Sequence, residues 1–285
     1  MADVTAIILT KNEEKNIGDC IKSVKSFCSR IVVVDSGSND NTVECAKELG
    51  ADVYIHPFEN YARQFNWGID NCDINTKWLL RLDADERFTE SLCAEVTNLM
   101  EEHKDDDING ISMSADLYFM GKFLKYGGKI RKRKIMIFKT GIGRIEDRKM
   151  DEHTILSCGI PVHAKEKFIH YDFKDLDTYV RKLNWYATRE MQDYFEAVNG
   201  AEDMADKTMA KIRKKKFGFY YKLPSFLRCW VLFLYAYLIK GNCLNGKEGY
   251  IYTYLYTFYY RTLVDAKILE QKMTSKPFEE TGDLK

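Results

Sequence analysis

Short, dense apolar runs alternate along the first third of the chain with segments whose apolar positions recur every three or four residues. Residues 4–10 (VTAIILT) have no polar alternation, the pattern of a strand buried on both faces. Ile17, Ile21, Val24 and Phe27 then fall close to a helical period, which predicts an amphipathic helix ending near Cys28. Residues 31–35 (IVVVD) read as a second buried strand, and Asp40 or Asn41 can cap a helix over 42–49. A third strand over 52–56 precedes a helix around 61–71. The run Trp78-Leu79-Leu80-Arg81-Leu82 is again apolar and stops abruptly in Asp83-Ala84-Asp85-Glu86. Strands alternating with helices at this spacing predict an α/β fold with a mostly parallel, doubly wound sheet.

In such a sheet the loops after the strands share one edge, and ligands bind outside the carboxyl ends of the strands. Asn12 with Glu13, Asp35 with Ser38 and Asp40, and Asp83 with Asp85 are therefore expected to converge, although far apart in sequence. Asp35 at a strand end suits hydrogen bonding to a ribose or base, against the simpler role of holding its own turn. Asp83 and Asp85 have the period-2 spacing that points both side chains the same way from an extended backbone. Hard oxygen ligands suit Mg2+ or Mn2+, held by one or two carboxylates and the phosphates of a substrate. Glu86 is given no part. Gly37 belongs to no GxGxxG pattern, which argues against a nicotinamide cofactor, and the chain has no GxxxxGK[ST] loop, so no P-loop. Positive charge for a diphosphate must then come from the metal, with Arg63 as helper.

Downstream, Thr89 caps a predicted helix to His103, and residues 108–119 alternate as a strand of a mixed sheet. Residues 131–139 (RKRKIMIFK) read as another strand. Its basic start could face an anionic substrate, but a solvated, charged edge strand is the preferred reading. Residues 168–171 form a strand end carrying His170, and 177–195 a helix rich in Tyr and Trp.

Composition changes this picture mainly after residue 196. A basic run, KIRKKK over 211–216, leads into the aromatic and apolar stretches 217–239 and 250–260. The uninterrupted apolar segment 229–239 is shorter than the roughly 20 residues a membrane-crossing helix needs. Basic residues beside Trp- and Tyr-rich helices point to an anionic membrane surface contacted through 211–260, the alternative being packing on the catalytic domain or on a second subunit of a homo-oligomer. Expected domains are a catalytic domain over 1–196, with its nucleotide-binding half over about 1–105, and a helical C-terminal region over 197–285. The 43 basic and 43 acidic residues balance, which argues against nucleic acid as a partner. Eight scattered cysteines, none in a close pair, and an opening strand pattern without a basic leader favour a reducing, cytoplasmic location, peripheral on the inner face of the cell membrane if the tail binds lipid.

Four segments in this order, ILTKNEEKNI, VVVDSGSNDNT, ARQFNWGI and LDADE, resemble the family 2 glycosyltransferases, and most of all the small bacterial enzymes of lipopolysaccharide core, capsule and exopolysaccharide assembly. The resemblance implies the GT-A fold and inverting transfer of a hexose from a nucleotide diphosphate sugar, UDP-hexose being preferred, to a hydroxyl of a lipid-linked or lipopolysaccharide-type glycan. It implies that Thr10, Glu13, Asp35 and Arg63 contact the nucleotide and that Asp83 and Asp85 form the DxD motif. Inverting transfer needs a carboxylate base. By likeness of the MDEH stretch to the family segment before the acceptor helix, that base is Glu152 or Asp151, with Glu152 preferred and Asp151 as helper or cap. Some GT-A enzymes use a late histidine as a third metal ligand, and His170 is the candidate. Competing readings are a sugar nucleotidyltransferase, which would carry a glycine-rich loop with Arg where this chain has Lys11-Asn12-Glu13-Glu14, and a non-catalytic protein that keeps the nucleotide fold.

Overall fold

The computed structural model describes residues 1–127, 133–147, 153–198 and 220–274. They group into two compact units, one of residues 1–123 and 128–172 and the other of 124–127 and 173–285.

The first unit is built on β1 (Ala2–Thr10), paired in parallel with β2 (Cys28–Asp35) on one side and with β4 (Trp78–Asp83) on the other. β3 (Asp52–Ile55) extends the sheet beyond β2. The apolar runs have no polar alternation because both faces are covered. Ala6, Ile8, Val33, Leu80 and Leu82 enter a core that includes Ile17, Ile21 and Val24 of α1 (Ile17–Val24), while Ile7, Val32, Val34 and Leu79 enter a second core with Ala62 and Phe65 of α3 (Tyr61–Asn71). Each fully buried aliphatic side chain of this kind stabilises the fold by about 1.5–3 kcal/mol. α2 (Thr42–Glu48) follows β2.

Past β4 the sheet becomes mixed. The short β5 (Glu86–Arg87) leads to α4 (Glu90–Glu102), whose cap Thr89 accepts the Leu92 N–H at 3.1 Å. β6 (Ile108–Phe119) carries the hairpin strand β7 (Lys122–Phe123), and β8 (Lys134–Lys139) inserts antiparallel between β4 and β6. β9 (Gly143–Ile145) and β10 (Thr154–Leu156) form a separate ribbon. β11 (Ile160–Tyr171) runs parallel to β6 and receives β5 on its far side. The order among the described residues is β3-β2-β1-β4-β8-β6-β11-β5. The expectation of a solvated edge strand over 131–139 is thereby corrected: β8 is an interior strand with Met136, Ile137 and Phe138 fully buried. Its basic flank misled, because the sequence does not show that Lys134 has a buried partner.

The second unit contains α5 (Leu176–Val198), a continuous helix made of α6 (Leu227–Leu234) and the π-helical turn Tyr235–Ile239, and a longer one made of α7 (Gly246–Thr253), a second π-helical segment Tyr254–Tyr259 and α8 (Tyr260–Thr274). Buried Glu190 of α5 accepts from the hydroxyls of Tyr221 and Tyr260 and from Arg261, and buried Arg228 pairs with Asp265. Gly127, at φ +75°, is crowded by Asn242: a Cβ there would lie 2.0 Å from its amide nitrogen. Among the described residues no helix is long and apolar enough to cross a membrane.

Candidate active site

Register places the strand ends at one level. Thr10 of β1 lies opposite Asp35 of β2, and Leu9 opposite Asp83 of β4. The Thr10 hydroxyl donates to Asp35 Oδ2 at 2.9 Å, and Asp35 is fully buried. The same carboxylate accepts the N–H groups of Gly37 and Ser38 at 2.8 and 2.7 Å and the Ser38 hydroxyl at 2.5 Å. Gly37, at φ +81°, supplies the left-handed conformation that folds this loop back over the carboxylate. The opposite loop is tied to it. Asn12 N–H donates to Ser38 Oγ at 2.8 Å, Asn39 N–H to Asn12 Oδ1 at 2.9 Å, and Glu13 N–H to Thr42 Oγ1 at 2.7 Å. Thr10, Asn12, Glu13, Asp35 and Ser38 are thus brought together across 25 to 29 residues of sequence. Asn41 takes the N-cap position of α2 without a side-chain cap bond, and Asp40 beside it accepts Thr42 N–H at 3.1 Å and Glu14 N–H at 3.2 Å. Burial raises its carboxyl, but hydrogen bonds from Thr42 and from the Glu14 backbone outweigh that and hold it below the ordinary carboxylate value.

The acidic motif departs from simple period-2 geometry. β4 ends at Asp83, Ala84 and Asp85 form a turn, and the two carboxylates meet different partners. Asp83 Oδ1 accepts the Tyr61 hydroxyl at 2.6 Å, and Tyr61 in turn accepts Arg81 Nε at 2.8 Å beneath a guanidinium 4.5 Å from its ring. Burial, reinforced by the Asp83 charge, pushes the Tyr61 phenol well above its usual range, so it remains a donor. Asp83 Oδ2 lies 3.5 Å from Lys134 Nζ. Glu86, which had no expected part, is completely buried, accepts the Asp83 N–H at 3.1 Å and pairs with Lys134. Burial pushes the Glu86 carboxyl up to about 7 with the Asp83 and Asp85 charges adding to the rise, and Lys134 opposes it.

Asp85 turns to β11. Its Oδ2 lies 3.1 Å from His170 Nε2, which is 3.8 Å from Asp172 Oδ1, and the Tyr171 N–H donates to the Asp85 carbonyl at 2.8 Å. One ligand atom from each of Asp85, His170 and Asp172 lies within 4.8 Å of the other two, and all three residues are half-buried. Two carboxylate oxygens and an imidazole fit a divalent cation such as Mn2+ or Mg2+, since neighbouring ligands on bonds of about 2.1 Å sit roughly 3 Å apart. Asp83 is not a member of this cluster.

Arg63, in the first turn of α3, is exposed and engaged by Glu59 at 2.6 Å and Asp147 at 3.1 Å, while Lys134 is the cation that reaches Asp83. Asp151 and Glu152 lie outside the described residues, as does the basic run 211–216. Sequence reasoning missed Tyr61, Glu86, Lys134 and Asp172 as site residues. Asp172 carries a usable signal, because His170 and Asp172 have the same two-residue spacing that drew notice to Asp83 and Asp85. The others are recognisable only through their tertiary partners.

Residues 5–154 match the model of a protein family described as "Glycosyl transferase family 2". An uncharacterized glycosyltransferase of Rickettsia felis is 26% identical over 286 residues, covering 97% of this chain and 93% of its own. The lipopolysaccharide core biosynthesis glycosyltransferase LpsC of Rhizobium meliloti is 26% identical over 200 residues, 68% of this chain and 72% of its own. The mannosyltransferase PcManGT of Pyrobaculum calidifontis, solved with GDP-Man and Mn2+, superposes with a TM-score of 0.51 at 14% identity over 95% of this chain and 88% of that one, a likeness of fold. The matched region is more than half of the sequence, and the chain belongs to glycosyl transferase family 2.

Proposed function

We propose that this glycosyltransferase moves one hexose, with inversion, from a UDP-sugar to a hydroxyl of a lipid-linked or lipopolysaccharide-type glycan at the inner face of the cell membrane, with a divalent cation at Asp85. The observation that carries this reading is the convergence of Asp85, His170 and Asp172 at the strand ends beside the Thr10–Asp35 loop pair. Similarity to LpsC supports an envelope-glycan acceptor.

In this proposal Thr10, Asn12, Glu13, Asp35 and Ser38 shape the pocket for base and ribose, with Asp35 ordering the loop from beneath. Asp83, fixed by Tyr61, and Lys134, fixed by Glu86, bracket the diphosphate. Asp85, His170 and Asp172 would hold the cation, which when bound supplies positive charge to the leaving diphosphate. Glu152, with Asp151 beside it, takes the proton of the acceptor hydroxyl. The new bond forms from that oxygen to the anomeric carbon on the face opposite the breaking bond, and the nucleoside diphosphate departs with its electron pair. Arg63 is a further contact for the nucleotide.

The test is a panel of UDP-, GDP- and dTDP-sugars screened with and without Mn2+ for thermal stabilisation and slow donor hydrolysis. Stabilisation by UDP-sugars, strongest with metal, is expected. Asp85→Ala should weaken metal-dependent UDP binding, and Glu152→Ala should abolish transfer while leaving donor binding intact. Stabilisation by no nucleotide under either condition would refute the proposal, and normal transfer by Glu152→Ala would move the base elsewhere.

A further inference from the structure

The helix over 227–239 is turned inside out relative to a helix packed on a soluble core. Leu227, Trp230, Val231, Leu234, Leu238 and Ile239 recur at i, i+3, i+4, i+7, i+11 and i+12, the spacing of one helical face, and that face is 47–75% exposed. Tyr235 lies on the same side and is also exposed. The opposite side is buried, and it carries the helix's one charge: Arg228 is 4% exposed and joined to Asp265, which is 3% exposed. The helix cannot roll to hide its aliphatic face without breaking that pair and withdrawing Phe233 and Cys229 from the interior. Tyr250 and Tyr254, stacked 6.2 Å apart and exposed, continue the patch sideways through the Tyr237–Tyr250 contact at 5.7 Å. A contiguous apolar face of this kind on a soluble chain marks a surface that something else covers.

We infer that the covering partner is an anionic lipid surface, and that the 227–239 helix lies in the plane of one leaflet with Leu227, Val231, Leu234, Leu238 and Ile239 in the acyl boundary. Trp230, Tyr235, Tyr250 and Tyr254 then sit at headgroup level, where amphipathic rings concentrate. Thirteen residues of helix lie on a membrane rather than crossing it. Charge selects lipid over a second copy of the chain: with Arg228 buried, the charged residues of 220–260 are Lys222, Lys240 and Lys247 against the single acidic Glu248, and the sequence just ahead of them carries the basic run KIRKKK, although the whole chain is neutral. Two such surfaces repel each other, whereas anionic headgroups attract both. Lys222 and Lys240 stand just before and just after the helix. The inference rests on the membrane-borne acceptor of the proposed function and identifies the surface that reaches it.

Flotation of the full chain with phosphatidylcholine vesicles, with and without phosphatidylglycerol, tests this. Binding to the anionic vesicles, weakened by added salt, is the expected result. Leu234→Ser/Leu238→Ser, which alters only outward side chains, should lower vesicle affinity on the order of tenfold or more while leaving thermal unfolding and UDP–Mn2+ stabilisation unchanged. Absence of binding by the parent chain, or undiminished binding by the variant, overturns the inference. So does sedimentation showing a dimer that the variant dissociates, which would assign the face to a second copy. Vesicle binding without any nucleotide response would sink the transferase donor reading alone, and the reverse outcome would sink only the lipid surface.

Discussion

Glu86 and Lys134 form the most consequential pair in the acidic turn. A carboxylate with no exposed surface is tolerated because a lysine and a backbone N–H face it, and in return it holds Lys134 beside Asp83. Without Lys134 the buried Glu86 carboxyl loses the group that opposes its raised pKa and must take up a proton to stay inside. Lys134→Met should therefore lower stability by about 1–3 kcal/mol in urea unfolding at pH 8, and adding Glu86→Gln should restore most of it. A double variant as unstable as the single would show that Lys134 matters for another reason. Asp40 offers a pH test. Its folded value is lowered, so the stability it contributes is present above its ordinary value of 3.8 and disappears as pH falls through the lowered one. Asp40→Asn should flatten that acid limb of the stability–pH curve, read by thermal melts at stepped pH.

At the scale of elements, the parallel half of the sheet follows directly from the sequence because its strands are unbroken apolar runs and its connections are short amphipathic helices. The cap on α4 belongs to the same logic: Thr89→Ala should cost about 1 kcal/mol, measurable by denaturation, with no change in nucleotide binding. β8 obeyed a different rule. Its residues Lys134 and Lys139 bracket an apolar core of four, which reads as an edge, yet its position between β4 and β6 is set by long-range pairing. In the helical unit the Arg228–Asp265 pair fixes which face of 227–239 turns inward. Arg228→Ala should destabilise that unit by about 3–5 kcal/mol, seen as a lower-melting transition in calorimetry.

For the molecule as a whole, the candidate cation cluster depends on two distant stretches, the turn after β4 and the end of β11. Ligands that bind only the folded chain stabilise it by mass action, roughly 2.7 kcal/mol at a hundredfold excess over Kd. For a unit of this size that corresponds to a rise in melting temperature of about 5–10 °C with UDP and Mn2+ together. EDTA should abolish the rise, and Asp172→Ala should reduce it as Asp85→Ala does. An unchanged response in Asp172→Ala would remove that residue from the ligand set.

By itself the sequence determined the elements of the parallel half of the sheet, the shared edge of its strand ends and the family, because each rests on local periodicity and on short motifs whose spacing is read directly. Thr10, Asn12, Asp35 and Ser38 met as the parallel order requires. Asp83 and Asp85 were legible as a pair, but their division between Tyr61 with Lys134 and His170 with Asp172 was not, since it turns on where the strand stops and the chain bends. Glu86, Lys134 and the inward rotation of Arg228 were likewise decided by tertiary structure alone. A charged side chain is compatible with solvent or with a buried partner, and only the fold says which of the two it meets.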